Sequence, residues 1–219
     1  MALPGGNDLA GSALADGEAM TIDRLEAFSD GVFAIAITLL VLEIGVPEAG
    51  GGGLWHALTE EWPSFAAFAV SFLVIGIIWV NHHGVVDHLK RANRTVLYLN
   101  LLLLFSVAFI PFPTALLAEH LDAGVDEEVA AAVYMGAMSL MAVSFSVLWT
   151  YITTHRQELG VDLGDEEIRR RTRLFTAGAP VYLASIGIAF VSPGAVLVIN
   201  ALLAVYYAAA GGMRSPQGG

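Results

Sequence analysis

The stretch Arg24-Leu25-Glu26-Ala27-Phe28-Ser29-Asp30-Gly31-Val32-Phe33-Ala34-Ile35-Ala36-Ile37-Thr38-Leu39-Leu40-Val41-Leu42-Glu43 sets three charges and a hydroxyl in two turns, then runs apolar except for Thr38. About 20 helical residues cross the ~30 Å core of a bilayer, so 22–44 reads as a membrane helix. At about 100° per residue, Arg24, Phe28, Gly31, Ile35, Thr38 and Leu42 fall on one stripe, because their spacings are all three or four. Asp30 stands one position before Gly31 and points about 100° away from that stripe, toward a neighbouring helix.

The rest of the chain has the same character. Of 219 residues, 56% are hydrophobic and 14% charged, and the mean hydropathy is +0.67, a balance foreign to an aqueous domain of this size. Apolar stretches of spanning length, bounded by charge or by Pro and Gly, fall at 22–44, 62–81, 94–118, 129–153, 173–191 and 195–212. The expected fold is therefore all-α: a polytopic membrane protein with six transmembrane helices per subunit and both termini cytoplasmic. Residues 1–20 read as a short disordered acidic tail without the basic segment of a cleavable signal, 21–213 as the membrane domain, and 214–219 as a C-terminal tail. Residues 45–61, with Pro47 and four consecutive glycines, read as a flexible loop, and Ser192-Pro193-Gly194 as a tight turn between the last two spans.

Charge supports an even number of spans. Arg24, Lys90, Arg91, Arg94, Arg156, Arg169, Arg170, Arg171, Arg173 and Arg214 all fall on the face shared by the two termini, where the positive-inside rule puts the cytoplasm. Glu43, Glu48, Glu60, Glu61, Glu119, Asp122, Asp126, Glu127 and Glu128 fall on the other. That surface raises the local cation concentration, or serves only as a solvated acidic rim. A net charge of −11 argues against nucleic acid, whose phosphates need a basic stripe. With no cysteine there is no disulfide framework and no thiolate metal site.

Few polar groups lie within the spans, and each needs a partner there. Trp79, Asn81, His82 and His83 end the second span at the depth of Asp30, so hydrogen bonds from indole or imidazole to that carboxylate are expected. His82, His83, Asp87 and His88 are a weaker metal candidate, because adjacent histidines face different sides of a helix; no metal or cofactor is expected. The same groups admit a proton relay through Asp30 and His82 or His83. Asn100, Ser106, Ser139, Ser144, Ser146, Ser185 and Asn200 stand alone and read as helix-packing residues. Pro111, Pro113 and Pro180 are expected to kink or end helices, and Trp55, Trp62, Trp149, Tyr151, Tyr206 and Tyr207 to lie at the membrane interfaces. Phosphate loops, nucleophile elbows and zinc-peptidase pairs are absent from the sequence, which gives an enzyme no support.

The pattern Arg24, Phe28, Ser29 and Asp30 resembles the signature of bacterial relatives of the lysosomal potassium channel transmembrane protein 175. Trp79, Asn81, His82 and His83 resemble the end of that family's second helix, and Asn100 with Pro111-Phe112-Pro113-Thr114-Ala115-Leu116 its third. The resemblance implies a potassium-permeable cation channel of four identical subunits in the cell membrane, with the first helix lining the pore. It also implies a constriction of apolar side chains, which here fall at Ile35, Thr38 and Leu42 on the stripe already described. A carbonyl filter of the Thr-Val-Gly-Tyr-Gly kind is absent from the sequence. In this scheme Arg24, Phe28, Ser29 and Asp30 hold the first helix against the second and third. The alternative is a proton-coupled carrier or proton leak using Asp30 and His82 or His83.

Overall fold

The computed structural model describes residues 7–47, 53–121, 124 and 126–212, with side chains from 22 to 209. The described chain is all-α: α1 (Asn7–Leu39) continued by a 3-10 turn (Leu40–Glu43), α2 (Gly53–Glu60), α3 (Trp62–Val86), α4 (Arg94–Phe109), α5 (Pro111–His120), α6 (Glu127–Thr154), α7 (Asp165–Ala189) and α8 (Ala195–Gly212). Four helical stretches are long and apolar enough to cross a membrane: Ile22–Glu43, Trp62–Val86, Arg94–His120 and Glu127–Thr154. The last two expected spans are less clear-cut. The first third of α7 is charged, and the apolar run of α8, Ala195–Ala209, is shorter.

Local chemistry explains the boundaries. Asn93 caps α4 by accepting from the Val96 N–H at 3.0 Å, and its amide donates to the Tyr151 hydroxyl and Glu158. Pro111 and Pro113 donate no backbone hydrogen bond, so the third span is divided into α4 and α5 at Ile110, whose N–H turns back to Val107. Pro180, by contrast, lies inside a continuous α7 and does not end it.

Two expectations about loops need correction. Helix α2 occupies 53–60 of the expected flexible loop, because after Gly53 the run Leu54-Trp55-His56-Ala57-Leu58 consists of competent helix formers; Gly50, Gly51 and Gly52 lie outside the described residues. Helix α1 begins at Asn7, within the expected disordered tail. Ala10, Ala13, Ala15, Glu18 and Ala19 favour helix, and extending an existing helix carries no nucleation cost. Residues 1–6 and 214–219 lie outside the described residues.

Helix α6 is the centre of the bundle, packing on α4, α5 and α7, with Tyr134, Met135, Met138, Met141 and Trp149 fully buried. Trp149, expected at an interface, is instead core: its indole donates to Thr172 at 2.9 Å and meets Phe175 edge-on. Tyr207 is likewise half-buried, its hydroxyl donating to the Leu174 carbonyl, whereas Trp55, Trp62 and Tyr206 are exposed as expected.

The bundle is polarised. Lys90 and Arg91 both donate backbone hydrogen bonds to Leu159, Arg171 reaches the Gly84 carbonyl, and Glu26 reaches His83. These contacts gather the start of α1, the α3–α4 link and the α6–α7 link, with nine of the ten basic residues, at one end; Arg214 lies outside the described residues. Gly160 in that link takes φ +64°, and a Cβ there would stand 2.9 Å from the Cβ of Lys90, so glycine is required on both counts. At the opposite end Glu43, Glu60, Glu61 and Glu119 line one open cleft of about 570 Å³.

Candidate functional site

The two sides of α1 are chemically distinct. Leu25, Ser29, Phe33, Ala36 and Leu40, spaced by three or four, are buried against α3 and α4. Arg24, Phe28, Gly31, Ile35, Thr38 and Leu42 are exposed without exception, with Leu42 at 74%. Thr38 donates its hydroxyl hydrogen to the Ile35 carbonyl at 2.9 Å, which leaves the oxygen's lone pairs facing outward.

Behind this outward stripe runs a directional chain of hydrogen bonds. His82 Nε2 lies 2.7 Å from Asn100 Oδ1, Asn100 Nδ2 donates to Ser29 Oγ at 3.0 Å, and Ser29 donates to the Leu25 carbonyl at 2.7 Å. His82, Asn100 and Ser29 are each about 1% exposed or less, and each link of the chain pairs a donor with an acceptor. Three helices, α3, α4 and α1, are thereby joined, and Phe33 packs its ring against His82 at 5.4 Å.

A second set lies nearer the surface. Trp79 Nε1 donates to Asp30 Oδ1 at 2.8 Å, and His83 Nδ1 lies 2.9 Å from Glu26 Oε1. Glu26 and Asp30 are one turn apart on α1, and His83 and Trp79 one turn apart on α3. The antiparallel helices thus meet in register at two points. The Trp79 and His83 rings stack, and His83 Nε2 lies 3.6 Å from Asp87 Oδ2.

Several site residues fall elsewhere than the sequence suggests. Asn81, grouped with the partners of Asp30, faces the opposite way, into a small cavity of about 30 Å³ among α3, α6, α7 and α8, because consecutive helical residues diverge by about 100°. Arg24 and Phe28 lie on the outward stripe, whereas Ser29 and Asp30 reach α4 and α3. The histidines also separate. His82 belongs to Asn100, and His88 to the Gly84 carbonyl. His83 instead comes together with Glu26 and Asp87, whose three donor atoms lie within 4.8 Å of one another.

Sequence reasoning missed Asn100, which it set among isolated packing residues. Ser106, Ser139, Ser144 and Ser185 do bond carbonyls of their own helices, whereas Ser146 also donates to the Phe175 carbonyl of α7 and Asn200 to the Met135 sulfur of α6. A second directional chain was also missed. Tyr134 and Ser71 lie 3.0 Å apart and Ser71 and Thr114 2.9 Å apart, and Thr114 donates to Ile110, so donation runs from α6 through α3 to α5. The signal for both is a polar residue whose burial on its own helix face is complete.

A family model described as endosomal/lysosomal potassium channel TMEM175 matches residues 24–111, which contain both sets of contacts to α1. A potassium channel of Streptomyces collinus is 52% identical over 186 residues, covering 84% of this chain and 90% of its own. A protein of Gallus gallus named endosomal/lysosomal proton channel TMEM175 is 33% identical over 150 residues, covering 64% of this chain and 30% of its own. The crystal structure of a lysosomal potassium-selective channel TMEM175 homolog from Chamaesiphon minutus superposes with a TM-score of 0.78 at 41% identity, covering 87% of this chain and 97% of the other. The chain belongs to the TMEM175 family, a family of ion channels and not of enzymes.

Proposed function

We propose that the chain is the subunit of a homotetrameric, potassium-permeable cation channel of the bacterial cytoplasmic membrane, with Ile35, Thr38 and Leu42 lining the pore. The observation that carries this reading is the split of α1: a mostly apolar outward stripe backed by a side fixed to α3 and α4 through a satisfied polar network. The names of the Streptomyces and Chamaesiphon relatives support potassium as the ion. Six spans, counting α4 with α5 as one, put both termini on the basic end, which the positive-inside rule makes cytoplasmic. The acidic cleft of Glu43, Glu60, Glu61 and Glu119 then stands at the outer mouth and concentrates cations there.

The chemistry follows from four copies of one stripe. Rings of Ile35 and Leu42 exclude water and close the path by dewetting, while Thr38 supplies a ring of oxygens whose hydrogens are already committed to the backbone. An ion crossing there loses part of its hydration shell, which potassium yields more readily than sodium. The proton-coupled alternative needs Asp30 to exchange protons with His82 or His83, yet Asp30 is held by Trp79, His82 by Asn100 in a separate network, and His83 by Glu26 one turn away.

Potassium flux into liposomes containing the purified protein tests the reading. Flux well above empty liposomes is expected, and Ile35→Asn, which wets the constriction, is expected to raise it. Unchanged flux in Ile35→Asn removes α1's stripe from the ion path. Transport that follows the pH gradient and vanishes in Asp30→Asn would favour the proton reading.

A further inference from the structure

The basic end of α7 holds more positive charge than its own acids neutralise. Glu167 takes the guanidinium fork of Arg170 and the Nε–H of Arg171, at 2.6–2.9 Å, and Asp165 pairs with Arg156. Arg169 and Arg173, one turn apart, make no close ion pair with any described residue, and Arg169 acts on Asp165, already paired with Arg156, only at longer range. Together with Arg170, Leu174, Glu166 and Tyr206 of α8 they line an open cleft of about 580 Å³. With Arg170 neutralised by Glu167, Arg169 and Arg173 against the single carboxylate of Glu166 leave that cleft net positive.

What lies next to the cleft in the membrane direction is apolar. On α7, Ala177 and Val181 continue the stripe of Arg173 by one and two turns and are exposed. On α8, Leu202 and Val198 do the same below Tyr206, at 64% and 58% exposure. Charge at one end, an aromatic hydroxyl at the boundary and two parallel apolar stripes beyond it match one kind of occupant.

We propose that Arg169 and Arg173, with Tyr206, bind the phosphate of an anionic phospholipid whose acyl chains lie along the exposed stripes of α7 and α8. Guanidinium forks match phosphate oxygens two by two, which lysine would not do. A topological role for the arginines explains their sign but not why two of them are left unpaired over a cleft that opens onto apolar helix. The site lies on α7 and α8, whereas the proposed ion path lies on α1, so it does not depend on what the channel conducts.

Native mass spectrometry of the full chain, after exchange into nanodiscs of equal phosphatidylglycerol and phosphatidylcholine, reads this out without any transport assay. Preferential retention of phosphatidylglycerol is expected. Arg169→Gln with Arg173→Gln is expected to lower that preference by roughly 30-fold, about what two juxtamembrane charges contribute. Arg94→Gln, which removes a charge at the same end but away from the cleft, is expected to leave it unchanged. Arg173→Lys keeps the charge and loses the fork, and is expected to give an intermediate value; it serves if the double variant fails to fold. Equal retention of the two lipids, or an equal loss in Arg94→Gln, overturns the proposal. So does displacement of the lipid by millimolar inorganic phosphate, which would make the cleft a site for the free anion.

Discussion

The spanning parts of α1 and α6 are both long and apolar, yet only 28% of the one is buried within the chain, against 61% of the other. Helix α6 is the better covered, by α4, α5 and α7, and Tyr134, Met135, Met138, Met141 and Trp149 reach 0–1% exposure. Helix α1 is covered on one side only, and there the packing of Leu25, Phe33, Ala36 and Leu40 is joined by polar contacts through Ser29, Asp30 and Glu26. In lipid no hydrophobic driving force joins helices, so close packing and interhelical hydrogen bonds must do so. Helix α6 is fixed mainly by the first and α1 by both. A helix fixed from behind by hydrogen bonds leaves its front free for another task.

The largest effect is expected where packing dominates. Trp149→Ala removes an indole packed on Phe175 and bonded to Thr172, and is expected to cost about 3–5 kcal/mol in unfolding monitored in detergent. Leu42→Ala, on the outward stripe of α1, is expected to change the stability of the chain by no more than about 0.5 kcal/mol. Comparable losses in the two variants would mean that α1 is as much core as α6, and the contrast would fail.

Next in size is the polar hold. Asn100→Leu strands His82 and Ser29 in a buried site and is expected to cost about 1–3 kcal/mol, with α1 loosened first. Hydrogen exchange would locate that loosening in 22–40 and leave the α6 core protected. Uniform loss of protection across both helices would instead make Asn100 part of one undivided core.

What the sequence made legible is what a single helix determines. The stripe of α1 follows from its own periodicity, and the basic and acidic ends follow from where charges interrupt apolar runs. The rotation of one helix against another is not written in either helix alone. For that reason Asn81 and His82, adjacent and equally polar, could not be told apart, although one faces a cavity and the other bonds Asn100. Asn100 was misread for the same cause: its partners are 18 and 71 residues away and on two other helices. Trp149 looked interfacial because indole suits interfaces, but a hydroxyl on α7 satisfies its N–H in the core.

The smallest effect tests the comparison outside the membrane, where α7 meets α3. Glu167 accepts from Arg170 and Arg171, and Arg171 in turn donates to the Gly84 carbonyl at the end of α3. The fork of Arg170, ahead of the contacts from Arg171, holds the Glu167 carboxyl down at about 2. A depressed carboxylate stabilises the fold fully above its unfolded value near 4.5 and loses that contribution as pH falls through 2. Thermal midpoints of the parent protein should therefore decline between those values, and Glu167→Gln should decline less. Asp165 is also held below its usual range, by the hydrogen bond from Arg156, so Glu167→Gln removes only part of the acid-induced decline. At neutral pH the difference should stay below about 1 kcal/mol, because the pair is partly exposed and water screens it. Were Glu167→Gln instead to cost as much as Trp149→Ala, a surface pair would be anchoring α7 as firmly as the α6 core does, and burial would no longer rank the contacts of this bundle.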